Sequence, residues 1–174
     1  MKKQKHLIII ILTVVVVSIV LSLAGCSGGK EKKLEDEYFV YTLLDDNTYS
    51  IAAKDKNNLP TEVYIPQTFN GKLVTKIAER GFYNCKGVEY VVLSDKITSI
   101  GNEGFARCTS LTHVEIPKNV TAFGKGAFGE CSNLGYIEYL GTVSDWESIL
   151  KSSNWNVYID KICVVNCFDG QIEE

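Results

Sequence analysis

Between Val74 and Tyr139 the apolar positions return at a fixed interval of 23 residues. Laid in register, Val74, Ile97 and Val120 share a column, followed by Ile77, Ile100 and Phe123, then Phe82, Phe105 and Phe128. Cys85, Cys108 and Cys131 come next, then Val88, Leu111 and Leu134, then Val91, Val114 and Ile137, then Leu93, Ile116 and Tyr139. A polar column, Thr75, Thr98 and Thr121, runs beside the first. An interval this long is neither helical nor strand periodicity; it is the self-similarity of stacked coils. No single unit can bury its apolar side alone. Stacking sets each residue on its counterpart in the next coil, so a column in sequence becomes a ladder in space.

Inside a unit the period drops to two. Leu111-Thr112-His113-Val114-Glu115-Ile116 sends Val114 and Ile116 to one face and His113 and Glu115 to the other. The phenylalanine column falls in the return half of each coil, where it can fill the space opposite the strand. A period of about 20 to 29 residues is that of leucine-rich solenoids. The expected fold is therefore a repeat solenoid, a leucine-rich-repeat-like right-handed coil of strand and loop with short helical segments. A β-hairpin would cap its N-terminal end, and a helix and strand its C-terminal end. Phe82, Phe105, Phe128, Cys85, Cys108 and Cys131 form its structural core.

Residues 38–66 read as the hairpin and an atypical first coil. Tyr38 to Leu43 and Tyr49 to Ala52 are β-branched and aromatic runs, and Asp45-Asp46-Asn47 between them is turn chemistry. No further acid follows at the spacing a calcium loop requires, so the turn reading is preferred. Glu62-Val63-Tyr64-Ile65-Pro66 matches Val114-Glu115-Ile116-Pro117, with extra residues in a widened loop, Gln67 to Lys72, marked by Asn70-Gly71. Residues 67–142 hold the repeats and 143–174 the exit cap. Val143, Trp146, Ile149 and Leu150 have helical spacing, with Thr142 or Ser144 as N-cap. Val157 to Val165 reads as closing strand. Cys163 and Cys167 would stand about 13 Å apart in one extended strand, whereas a bend at Asn166 would allow a disulfide. Asp169-Gly170 marks a turn, and a frayed tail is expected after it.

The first 25 residues differ in kind. Lys2, Lys3 and Lys5 precede an almost unbroken apolar run from Leu7 to Leu23, the pattern of an export signal. The run is also long enough to span a bilayer, which takes about 20 apolar residues. Leu23-Ala24-Gly25-Cys26 resembles the bacterial lipobox, which implies cleavage before Cys26 and lipidation of its thiol. Residues 26–37, with Ser27-Gly28-Gly29 and a charged run, read as a flexible tether. The resulting localisation is export to the cell membrane and cell surface on a lipid anchor.

Net charge is −3 for the whole chain, and the leader contributes three lysines and no acid, so the remainder is more acidic still. Such a balance disfavours gripping phosphate backbones, and nucleic acid is not an expected partner. There is no nucleophile elbow, phosphate-cradling glycine loop or CxxC pair. His113 is the one histidine beyond the leader, and it is expected to face solvent without a partner carboxylate. Glu115 and Glu138 align one coil apart, more as a solvated stripe than a glycosidase pair, which needs a cleft. Neither catalysis nor a metal or other cofactor is expected. The cysteine column lacks a fourth ligand for zinc and reads as free buried thiols.

The units Ile97-Thr98-Ser99-Ile100-Gly101, Gly104-Phe105, Cys108, Leu111, Val114 and Ile116-Pro117 resemble the BspA-type leucine-rich repeats of bacterial surface proteins. Asn133-Leu134, Ile137 to Thr142, Trp146 and Ile149 resemble that family's terminal unit. The likeness runs from about Tyr38 to Gly170. Gly81 and Gly104 depart from the family's usual alanine, kept here as Ala127, and Ser94 replaces a repeat-end proline. The resemblance implies adhesion to host matrix, host cells or neighbouring bacteria through a protein or glycan ligand. A structural envelope component binding another protein of its own cell is the alternative. The candidate contact residues are Tyr90, His113 and Tyr136, with Val92, Glu115 and Glu138 alongside. They form either a binding column or merely β-favouring residues on a solvated strand.

Overall fold

A computed structural model describes residues 33–152, 154–157 and 163–174. The expected export segment, Cys26 and most of the expected tether lie outside the described residues.

The 23-residue period becomes two sheets, parallel from coil to coil, facing each other across one core. The first holds β1 (Lys33–Glu35), β2 (Phe39–Leu43), β3 (Tyr49–Ala53), β5 (Thr68–Phe69), β6 (Lys72–Ile77), β8 (Ser99–Ile100), β10 (Ala122–Phe123) and β12 (Leu150–Lys151). The second holds β4 (Glu62–Tyr64), β7 (Tyr90–Val92), β9 (His113–Pro117), β11 (Tyr136–Leu140), β13 (Val164–Cys167) and β14 (Gly170–Glu173). Successive coils pair in parallel, β6–β8–β10–β12 on one wall and β4–β7–β9–β11–β13 on the other. The apolar columns are buried between the walls. Phe82, Phe105 and Phe128 stack with centroids 5.1 and 5.4 Å apart and planes 15° and 6° from parallel.

The return half of the coil holds two further ladders that the sequence did not announce. Arg80, Glu103 and Gly126 all take positive φ, at 53°, 52° and 61°. Asn84, Arg107 and Glu130 do the same at 62°, 62° and 58°. Left-handed backbone costs an L-residue about 1–2 kcal/mol. The compensation is directional: each of these N–H groups donates to a carbonyl of the following coil, at 2.8 to 3.1 Å. The coils approach closely beside these turns. A Cβ on Gly124 would sit 2.5 Å from the backbone nitrogen of Asn102, so only glycine fits.

Antiparallel hairpins close several strand edges. At the entry, β2 and β3 form the expected hairpin. Phe39 packs on Phe82 at 6.0 Å, and Tyr41 stacks on Phe69 at 3.7 Å. The widened loop is itself a hairpin, β5–β6, turned by Asn70 and Gly71 at φ 47° and 74°, the left-handed pair an Asn-Gly turn supplies. The tether reading fails for its last residues. Lys33–Glu35 pair with β2, because Leu34 packs on the core and Asp36 accepts bonds from Tyr38 N, Phe39 N and Tyr41 Oη.

The exit cap is tighter than expected. Helix α1 spans Val143–Ser148, with Thr142 and Asp145 forming a capping box. It is shorter than the helical spacing suggested: Leu150 belongs to β12 and is 76% exposed. Trp146 is buried against Phe123, Tyr139 and Trp155. The tail is not frayed. β14 pairs antiparallel with β13, and Glu174 accepts a 2.7 Å bond from Trp146 Nε1 through its carboxylate. Of the expected closing strand, residues 158–162 lie outside the described residues. Cys163 and Cys167 are free, buried thiols at the two ends of an extended run with no bend at Asn166.

Candidate functional site

The two walls differ in what they turn outward. On the first, Thr98 Oγ1 donates to Thr75 O at 3.2 Å, and Thr121 Oγ1 to Thr98 O at 3.3 Å. These hydroxyls are spent on the backbone of the preceding coil. The second wall projects larger groups. Parallel register sets Tyr90 beside His113 and His113 beside Tyr136, with Val92, Glu115 and Glu138 as the next outward row. All six candidate contact residues therefore share one face, each half-buried.

The rings form a comb. Tyr90–His113 and His113–Tyr136 centroids are each 4.7 Å apart at 68° and 79°, and Tyr64 continues the row edge-on to Tyr90 at 6.4 Å. Edge-to-face packing is the favoured arrangement of aromatic quadrupoles, so the comb holds its rings upright. Tyr64 and Glu62 were missed as site residues, although pairing through β4 and β7 places them on this face. The signal was the offset of 28 residues between Ile65 and Leu93, which also carries Tyr64 onto Val92 and Glu62 onto Tyr90.

Carboxylates hold the comb from one side. Tyr64 Oη donates to Glu62 Oε2 at 2.9 Å, and Tyr90 Oη to Glu115 Oε2 at 3.4 Å. The hydrogen bond to Glu62 raises the Tyr64 phenol above its ordinary range, and burial followed by Glu115 does the same to Tyr90. Both hydroxyls therefore remain neutral donors. His113 is not the isolated, solvent-facing residue expected: its Nε2 lies 3.8 Å from Glu138 Oε2, enclosed and without a hydrogen-bond partner. The flanking tyrosine rings cover it, a consequence of register that one strand's alternation cannot show.

The cysteine column lies inside. Cys108 Sγ donates to Phe82 O at 3.0 Å and Cys131 Sγ to Phe105 O at 3.1 Å. The thiol of the next coil, then burial, pushes Cys85 up. Hydrogen bonding with Cys131 pushes Cys108 up, and burial pushes Cys163 up to about 12. A neutral buried thiol is a poor nucleophile. Among the described residues no group of three or more His, Cys, Asp or Glu side chains is placed to hold a metal, and no helix is long and apolar enough to cross a membrane.

Coils stacked between two walls define a leucine-rich-repeat solenoid. Residues 56–161 match the family model of the BspA type Leucine rich repeat region (6 copies), and the chain belongs to that family. It is 30% identical to a leucine rich cell surface protein from Faecalibacterium prausnitzii A2-165, with a TM-score of 0.53. That alignment covers 64% of this chain and 34% of the other, so this chain spans about a third of that protein. A leucine-rich repeat protein from Bacteroides capillosus ATCC 29799 shares the fold at TM-score 0.63 and 23% identity, over 79% of this chain and 99% of that one. No curated protein matches significantly.

Proposed function

We propose that this chain is a lipid-anchored bacterial surface protein whose second wall binds a protein or glycan ligand. The comb of Tyr64, Tyr90, His113 and Tyr136, upright on one open face, is the observation that carries the reading. Tyrosine gives large contact area at low entropic cost, and solenoids bind along such continuous faces. The family and the cell-surface relative support surface display. The leader and Cys26 support export and a lipid anchor, since the diacylglycerol that the lipobox resemblance implies brings more than one acyl chain.

The test immobilises the full chain in uncharged detergent and exposes it to two lysates, one of the producing bacterium and one of host matrix and mucin. A variant with Tyr90, His113 and Tyr136 replaced by serine runs in parallel. Retention of host material by the native chain alone is the expected result. If only the bacterium's own envelope proteins are retained, the structural-component reading replaces adhesion. Equal retention by the variant rejects this face as the contact.

A further inference from the structure

We propose that the occupant of the second wall is a cationic, extended polypeptide segment, a deepening that rests on the binding-face reading above. Charge complementarity identifies that occupant. Among the described residues, strands of the second sheet carry Glu62, Glu115, Glu138 and Glu173 and no lysine or arginine. Among the described residues, strands of the first carry Lys33, Lys72, Lys76 and Lys151 against one acid, Glu35. The repeat therefore segregates strand charge between its walls.

Glu115 and Glu138 stand directly beside each other in the parallel register. Like charges so placed oppose folding, and nothing in the core requires them, since both side chains point outward. An ammonium or guanidinium set between the two carboxylates turns that repulsion into attraction. The comb alongside suits the rest of such a side chain: a lysine or arginine stem packs on an aromatic surface while its head stays at the polar rim. The acidic side of Glu138 also stays available, since its contact with His113 Nε2, at 3.8 Å, is longer than a hydrogen bond. An acidic ligand would meet four glutamates on this wall, and a neutral glycan would leave the paired carboxylates unused.

The test titrates the full chain in uncharged detergent with three probes. These are a fluorescent peptide of alternating lysine and threonine, its glutamate–threonine counterpart, and a neutral oligosaccharide. The lysine peptide is expected to bind, to weaken as salt rises, and to lose about tenfold in affinity in the Glu115→Gln/Glu138→Gln variant. Equal binding of the two peptides, preference for the oligosaccharide, or an unchanged affinity in the glutamine variant overturns the cationic assignment. The lysates distinguish failure of the face from failure of its cationic ligand. A partner lost by the triple-serine variant but kept by the glutamine variant leaves the face standing and removes its cationic ligand. A partner kept by both removes the face as well.

Discussion

The first wall turns threonine, serine, alanine and lysine outward, and its threonine hydroxyls bond to the preceding coil. The second turns outward tyrosine, histidine and glutamate, whose ring and carboxylate groups meet one another on that face. Both walls obey one period and stand on the same buried ladder. The difference teaches that a repeat constrains its inward positions jointly, because both walls share them, while leaving each outward row to separate uses. One row serves cohesion between coils, and the other accepts a folding cost at Glu115 and Glu138.

The shared ladder is the first place to break the comparison. Phe105 lies between Phe82 and Phe128 beneath both walls, so Phe105→Ala is expected to destabilise the domain by about 3–5 kcal/mol. A thermal melt followed by circular dichroism checks this, and a midpoint within a few degrees of the native chain contradicts the placement. Next comes the cohesive wall. Thr98→Val with Thr121→Val removes two hydroxyl-to-backbone bonds and is expected to cost about 1 kcal/mol or somewhat more in urea unfolding. Ligand retention on the second wall should be unchanged, and loss of retention would show that the walls are not independent. The smallest effect sharpens the contrast in the opposite sense. Glu115→Gln/Glu138→Gln should raise stability by about 0.2–0.5 kcal/mol in the same urea assay, even as it weakens the cationic probe. A loss of stability would mean that those carboxylates serve the fold.

The apolar columns, the hairpin Phe39 to Ala53 and the helix behind Thr142 were legible because each is written locally or repeated at a constant period. The outward six were legible as a set for the same reason. Other features were not. Arg80, Glu103, Arg107 and Glu130 have no local preference for positive φ; Gly126 and Asn84 were the two residue types in those columns that hinted at it. Lys33–Glu35 looked like tether because a strand added to an existing edge needs little apolar pattern of its own. The tail looked frayed because its anchor, the bond from Trp146 Nε1 to Glu174, joins residues 28 apart.

By itself, then, the sequence determined the period, the inward ladders and the order of coils. Burying an apolar side by stacking requires like residues at like intervals, and that requirement is written in one dimension. Tertiary structure alone decided the contacts that run diagonally from one outward column to the next. Side-chain packing across the register brought Glu138 to His113, closed two tyrosine rings over the imidazole, and set Tyr64 edge-on to Tyr90. Such contacts lie across strands about 4.8 Å apart but one or more full coils apart along the chain, where no local pattern records them.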